Sequence, residues 1–508
     1  MEHTTYSSAQ ASLTLRQLGM LNYLHGLLTQ PTGAWEGFYR PLSQSMNFAL
    51  RYQLAFSAYA VAVLAQKTPA YRALYTEALR GAIEKMLHID VWGYWRVPNE
   101  KDDGSASGGM SGGHAAVLLA PHQRAVAGPP SDPIAYNNLQ YSGHLSTMLG
   151  LYEKLSGDKR YDNTFTLRDP ASGVEFAYTH SKVAERIHDQ MCANGFGGVC
   201  CEQGMAYVPC NNHAMASNTL HDALHGTDYR EANSGWLKTV RSKMILRGPA
   251  LRGVFGTAYM KDLHMAAPVA FNFTDAWGLA FMLPFDRPLV RKLYPRFKKR
   301  SVSDAGPDAG SRGAFVGSSP MSERMEISDV GINTGFGAIL ARGIGDVALA
   351  DSLARYATSA LGAGWDGGRY FYRSAPRTLH TTALLAIAET ISPGGADFAS
   401  LFNDAPSKDE HPYVARLSDL TGRTGIVEAE YNEQERILRI TLAQVGDPDT
   451  LANGAATEVA ITVSNVSNSA YVQIGNEQPG SQRERSGDEI VFTVLVRPGE
   501  NVTCLVGS

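Results

Sequence analysis

The stretch MNFALRYQLAFSAYAVAVLAQK, residues 46–67, reads as one buried helix. Phe48, Tyr52, Ala55, Phe56, Tyr59 and Val63 recur at three- and four-residue spacing, which gathers them on one face of a 3.6-residue period. Pro69 opens the next block, at a position the first turn of a helix tolerates. Outward from this segment the same period marks blocks near 12–29, 69–88, 138–156, 175–194, 210–225, 229–245, 272–283, 287–298, 330–343, 345–361 and 375–391. Together they make twelve helices, or six hairpins. The fold class is therefore mainly α, and the count fits an (α/α)6 barrel of six helical pairs. It equally fits a helical solenoid, because periodicity does not fix how hairpins close.

Two stretches interrupt the helices, 99–136 and 301–319, both rich in Gly, Ser, Asp and Pro and both expected to be loops, either disordered or functional lids. After residue 410 the pattern changes to short alternating runs of Val, Ile and Thr, at Ile437–Leu442, Glu458–Val463 and Ile490–Val496. Turn clusters such as Gly446-Asp447-Pro448-Asp449 separate them, so a small antiparallel β-sandwich is expected over 410–508, with a packing or capping role. The helical domain spans 1–405.

With 508 residues and a formal charge of −4, the chain can bury a large core and has no basic block interleaved with aromatics. Nucleic acid is excluded as an expected partner, and a small apolar or oxygenated organic molecule is favoured. No run approaches the roughly 20 apolar residues of a membrane span, and the first residues carry no basic region followed by an apolar run. A cytoplasmic location follows as the expectation.

Four of the five cysteines, Cys192, Cys200, Cys201 and Cys210, fall within nineteen residues, beside His188, Asp189, Glu202, Tyr207 and His213. Gly195, Gly197 and Gly198 permit close backbone approach there, and Cys201 and Cys210 stand at the two ends of a short connector, so their side chains can converge. Three readings compete. As a zinc site, Cys201, Cys210 and His213 supply three ligands, but nine residues is not a usual thiolate hook. A disulfide is geometrically possible but would be kept reduced in a cytosol. The third reading is a thiol pair acting as acid and base, or as nucleophile. Cys192 and Cys200 divide evenly between site and packing, and Cys504 reads as a small buried hydrophobe. Tyr141, His144, Met148 and Leu151 share a helix face, where a histidine is by default a hydrogen-bonded core residue. His221 and His225, four apart, lie near a helix end and read as structural.

Several motifs together resemble the linalool dehydratase-isomerase family, enzymes that dehydrate or rearrange a tertiary allylic terpene alcohol. They are Val91-Trp92-Gly93-Tyr94-Trp95, Tyr141-Ser142-Gly143-His144-Leu145, Arg186-Ile187-His188-Asp189, Val199-Cys200-Cys201-Glu202 with Cys210-Asn211, His225-Gly226-Thr227-Asp228-Tyr229-Arg230 and Tyr294-Pro295-Arg296-Phe297-Lys298. They span roughly residues 20–345 in order. The resemblance implies an (α/α)6 barrel, a homopentamer, no cofactor and no metal. It places the active-site cysteines on Cys201 and Cys210, the histidine on His144 and a tyrosine on Tyr52, with Tyr207 lining the pocket and Tyr141 and Met148 beside it. Three positions depart from the family pattern. Its catalytic aspartate corresponds to His25, a pocket methionine to Gln140 and a pocket tryptophan to Val269. A larger, more polar cavity and a substrate bulkier than linalool follow.

Loss of water from an allylic alcohol needs an acid at the hydroxyl, a base for the neighbouring proton and a site that tolerates positive charge. On that scheme His144 and Tyr52, with His25, handle the hydroxyl, while Cys201 and Cys210 shuttle the proton or bond the allylic carbon. Cyclisation or double-bond migration needs the same groups. One rival reading is a carbohydrate-active enzyme using two opposed carboxylates from Glu202, Asp275, Asp329 and Asp366. Another is a barrel that binds a lipid-like molecule without turnover.

Overall fold

The computed structural model describes residues 12–41, 44, 48–96, 129–202, 204–247, 254–305, 313–318, 323, 328–406, 411–419, 422–475 and 483–507. All twelve expected helices form: α1 Leu15–Leu28, α2 Leu50–Ala65, α3 Ala73–Met86, α4 Leu139–Ser156, α5 His180–Ala193, α6 Val208–His225, α7 Asn233–Thr239, α8 Asn272–Met282, α9 Arg287–Ser301, α10 Val330–Ile344, α11 Val347–Ala360 and α12 Thr378–Thr390. The chain is mainly α, as the periodicity implies.

Burial separates ten of the twelve into two sets. Every residue of α2 is buried, and α4, α6, α8, α10 and α12 are buried over most of their length. In α3, α5, α9 and α11 only one face is covered. Apolar-all-round helices belong inside and amphipathic ones outside. The inner helices meet in cyclic order: α2 packs on α4, α4 on α6, α6 on α8, α8 on α10, α10 on α12, and α12 returns to α2. Outer helices sit over the seams, α3 against α2 and α4, α5 against α4 and α6, α9 against α8 and α10.

Boundaries shift where capping chemistry decides them. The block expected from 175 contains the strand Glu175–Tyr178, and α5 starts only at His180, where the Thr179 hydroxyl accepts from the Lys182 amide at 3.3 Å. The stretch 301–319, expected to be a loop, contains a hairpin pairing Val302–Ala305 with Gly313–Val316, a correction to the sequence reading. Residues 306–312 within it, and 97–128 of the 99–136 stretch, lie outside the described residues.

The C-terminal strands are β1 Tyr413–Ser418, β2 Thr424–Asn432, β3 Ile437–Gln444, β4 Thr457–Ser464, β5 Tyr471–Ile474, β6 Arg483–Ser486, β7 Glu489–Val496 and β8 Asn501–Gly507. They form two antiparallel sheets, ordered β1-β4-β7-β6 and β2-β3-β8-β5, with Ile440, Leu442, Ile461, Val463, Phe492 and Cys504 buried. This module is stitched to the helices through main chain: the Leu13 amide donates to the Val427 carbonyl at 2.7 Å, Ala70 to Ala429 at 3.1 Å and Val414 to Ala70 at 2.7 Å.

Candidate active site

Three local devices bring the expected residues together. First, Asn211 on α6 grips the preceding connector: its amide oxygen accepts from the Val199 amide at 2.8 Å and its amide nitrogen donates to the Val199 carbonyl at 3.0 Å. That clamp folds the connector back over the start of α6, so the Cys210 thiol lies close enough to Cys201 to raise its pKa. Second, Gly197 has φ +70°, and a Cβ there would lie 2.3 Å from the Gly235 carbonyl carbon, so only glycine lets the connector pass. Third, Asn137 and Asn138 both take left-handed backbone before α4, and the Leu139 amide donates to the Cys200 carbonyl at 3.3 Å. The start of α4 is thereby fixed beside the cysteines.

On this frame Gln140 is the hub. Its side-chain oxygen accepts from Arg51 Nη2 at 3.0 Å and from the Tyr52 hydroxyl at 3.1 Å. The Arg51 guanidinium lies over two rings, 4.5 Å from the centroid of Tyr52 and 4.4 Å from that of Tyr94. Tyr94 is held by its hydroxyl donating to Asn138 Oδ1 at 2.6 Å. Half-buried Glu202 completes the group, accepting from the Tyr207 hydroxyl at 3.4 Å. Below lies an aromatic floor. The Tyr52 ring meets those of Trp277 at 5.6 Å and His144 at 5.4 Å, and Trp277 stacks flat on Phe336 at 5.4 Å.

Burial sets the protonation states. It pushes the Cys201 thiol well above its ordinary value, and contact with Cys210 adds to the shift, so Cys201 keeps its proton. Burial likewise raises Glu202, against the opposing pull of Arg51 and the Tyr207 hydroxyl. Tyr52 is raised by burial although Arg51 pulls it down. His144 is driven well below the usual histidine range by burial, with His213, Arg51 and His380 adding to it, and is neutral. Its Nδ1 pairs with the Tyr59 hydroxyl at 2.8 Å, while Nε2 is buried without a hydrogen-bond partner among the described residues. In the tautomer whose Nδ1–H donates to the Tyr59 hydroxyl oxygen, Nε2 is left to accept.

The expected site residues divide. Tyr52, Gln140, Cys201, Tyr207 and Cys210 converge, with His144 against Tyr52. Tyr141 turns elsewhere, its hydroxyl donating to the Met86 carbonyl at 3.0 Å. Met148 is buried one further turn along α4 from His144. Val269 is 40% exposed, in the segment before α8. His25 lies on α1 with its Nε2 3.0 Å from Glu77 Oε2 on α3, so a contact with a neighbouring helix occupies it. Arg51, Tyr94 and Glu202 join the cluster without having been singled out for this chemistry. Arg51 carried a signal, being the one charged residue in the sixteen of α2.

The model of one protein family, described as linalool dehydratase/isomerase, matches residues 51–378. The chain belongs to that family. The match begins at Arg51 and takes in every member of the cluster, whereas the β-sandwich lies beyond it. Among solved structures the chain is similar to a GH127 β-L-arabinofuranosidase from Geobacillus stearothermophilus T6, at 12% identity and TM-score 0.29, covering 98% of this chain and 76% of that one. A second GH127 β-arabinofuranosidase matches at 10% identity and TM-score 0.29, covering 97% and 76%. Family members are enzymes, and that much applies here. No helix among the described residues is long and apolar enough to cross a membrane.

Proposed function

We propose that this family member is a cofactor-independent lyase or isomerase acting by acid–base chemistry on an alkenol or terpenoid-like substrate, through dehydration, allylic isomerisation or cyclisation. One observation carries the reading: a pair of neighbouring buried thiols, Cys201 and Cys210, meets Tyr52, Gln140 and Glu202 above an aromatic floor. The cyclic contacts of the inner helices support reading residues 1–405 as an (α/α)6 barrel, with 410–508 as a β cap. Self-association, five copies by the family resemblance, is part of the proposal, and light scattering of the intact chain checks it.

The protons balance as follows. Glu202 or Cys201 gives its proton to the substrate hydroxyl, and the C–O bond breaks with its electron pair leaving on water. Neutral His144 takes the neighbouring proton on Nε2, and the C–H pair becomes the double bond. The proton then returns from His144 to the acid, and the catalyst is restored. His144 serves as acceptor because its depressed pKa keeps the ring neutral at the outset, and the same depression makes it give the proton back readily. Positive charge developing on carbon faces the rings of Trp277 and Phe336.

Four carboxylates were candidates for a glycosidase pair, and the structure scatters them. Asp275 accepts from the Val254 and Phe255 amides at 2.7 and 2.8 Å, Asp329 caps α10 and pairs with Arg377, and Asp366 is exposed on a hairpin. Glu202 alone of the four sits in the cluster. The test is incubation of a panel of acyclic and cyclic alkenols with the enzyme, read by gas chromatography–mass spectrometry. Cysteine-dependent loss or migration of the hydroxyl is expected. Unchanged turnover in both Cys201→Ala and Cys210→Ala, or release of sugar from a glycoside panel, would sink the reading.

A further inference from the structure

At the opposite end of the inner helices four side chains from separate segments aim at one point. Glu153 lies in the last turn of α4, Asp162 in the short turn Arg160–Asp162, His180 opens α5, and His225 ends α6. From Gln140 to Glu153 is thirteen residues along α4, about 20 Å at 1.5 Å per residue. We propose that Glu153, Asp162, His180 and His225 form a binding site for a divalent transition-metal ion of the zinc type, distinct from the thiol cluster.

The geometry fits such an ion. One ligand atom from each residue lies within 4.8 Å of all the others. Glu153 Oε2 is 3.1 Å from His225 Nε2 and 3.6 Å from His180 Nδ1, and His225 Nε2 is 3.9 Å from Asp162 Oδ1. A tetrahedron with zinc bonds of 2.0–2.1 Å has ligand atoms about 3.3 Å apart, inside that range. The donor set is two imidazoles and two carboxylates, so a dication is neutralised on site, which a buried position requires.

A second observation points the same way. His180 is 1% exposed, yet neither of its ring nitrogens makes a well-aligned hydrogen bond among the described residues, nor does the facing Asp162 Oδ1, and His225 Nε2 has only its 3.1 Å approach to the Glu153 carboxylate. Buried polar atoms without partners are uncommon and costly. One shared proton bridges a single nitrogen–oxygen pair, whereas one cation satisfies all four ligand atoms. His221 is excluded as a ligand because Nδ1 is taken by Thr227 at 2.9 Å and Nε2 by Ser181 at 3.2 Å; its ring instead walls His225 at 4.5 Å. The carbonyl ends of α4 and α6, capped by Gly157 and Gly226, add a field that favours a cation. Four protein ligands close the shell, so the ion would staple α4, α5 and α6 and carry no reaction.

The experiment uses the full chain, purified from zinc-supplemented medium, with metal content read by inductively coupled plasma mass spectrometry and affinity by zinc competition against a chromophoric chelator. One zinc per chain is expected. Asp162→Asn, at a half-exposed position that tolerates change, should weaken zinc at least tenfold, and His225→Ala should abolish it. The Cys201→Ala/Cys210→Ala double variant should retain the full equivalent. Absence of zinc tighter than micromolar in the unaltered protein would overturn the proposal. So would zinc that disappears with the two cysteines, or that Asp162→Asn and a folded His225→Ala bind unchanged.

Discussion

His380 offers a measurement of what the aromatic floor costs the protein in acid. It stands on α12, 3% exposed, stacked on Phe56 at 5.1 Å and 18°, with both ring nitrogens buried and without a hydrogen-bond partner among the described residues. Burial, with Arg377 adding to it, pushes its pKa down to about 3. An unfolded histidine titrates near 6.5. As pH falls below about 6.5 the unfolded chain takes up a proton that the folded chain refuses until about 3, so the stability associated with the neutral ring is complete above 6.5 and is lost across that window. At pH 5 the loss integrates to about 2 kcal/mol, with a slope approaching 1.4 kcal/mol per pH unit. His380→Phe keeps the stacking and removes the titration. Sparing two unpaired nitrogens should also stabilise the variant by about 1–3 kcal/mol at pH 7.5. Urea unfolding of both proteins at pH 7.5, 6 and 5 yields the difference curve, in which Asp275, raised by burial to about 7, and the other titrating groups cancel. The variant's advantage should widen by about 2 kcal/mol between pH 7.5 and 5. Parallel curves would refute the buried, neutral assignment.

Glu202→Gln should lower kcat by about 10²–10⁴ if Glu202 is the acid, and should erase the alkaline limb of the kcat profile, since activity needs the protonated carboxyl and falls as pH rises through its raised pKa. Tyr59→Phe strips the partner from His144 Nδ1; at about 1–3 kcal/mol for an unpaired buried donor, kcat should drop about 5- to 150-fold with KM nearly unchanged in steady-state assays. Gly197→Ala combines a left-handed φ with a backbone clash and should cost about 2–5 kcal/mol in urea unfolding, while Gly195→Ala, with open space around it, should be neutral.

The twelve helices were legible because apolar residues recur at three- and four-residue spacing in blocks bounded by Gly, Pro and Asp, a signal that survives without any tertiary information. The short hairpins were not, since four-residue strands such as Val302–Ala305 carry too few alternations to stand out. The meeting of Cys201 and Cys210 could be anticipated from a short connector between two helices, but its cause, the Asn211 clamp, is a side-chain contact twelve residues away. His144, His213 and His380 come from three different inner helices, and nothing local in the chain announces that their rings gather around Phe56. The same holds for Glu153, Asp162, His180 and His225, whose spacings match no short ligand hook.

Arg51 sets the polarity of the proposed reaction. It is fully buried, with the faces of Tyr52 and Tyr94, the Gln140 oxygen and Glu202 around it, and the raised pKa of Glu202 favours the neutral acid. At an effective dielectric of 20, like charges 4 Å apart repel by about 4 kcal/mol and at 8 Å by about 2. A cationic carbon close to Arg51 would therefore be opposed by more than one aromatic face returns. The substrate must then bind with its oxygen toward Arg51 and Gln140, where leaving water and any negative charge are favoured, and with its carbon skeleton toward Trp277 and Phe336. That orientation puts the hydroxyl within the Tyr52–Gln140–Glu202 group and the adjacent C–H bond toward His144, so a single buried cation aligns both proton transfers.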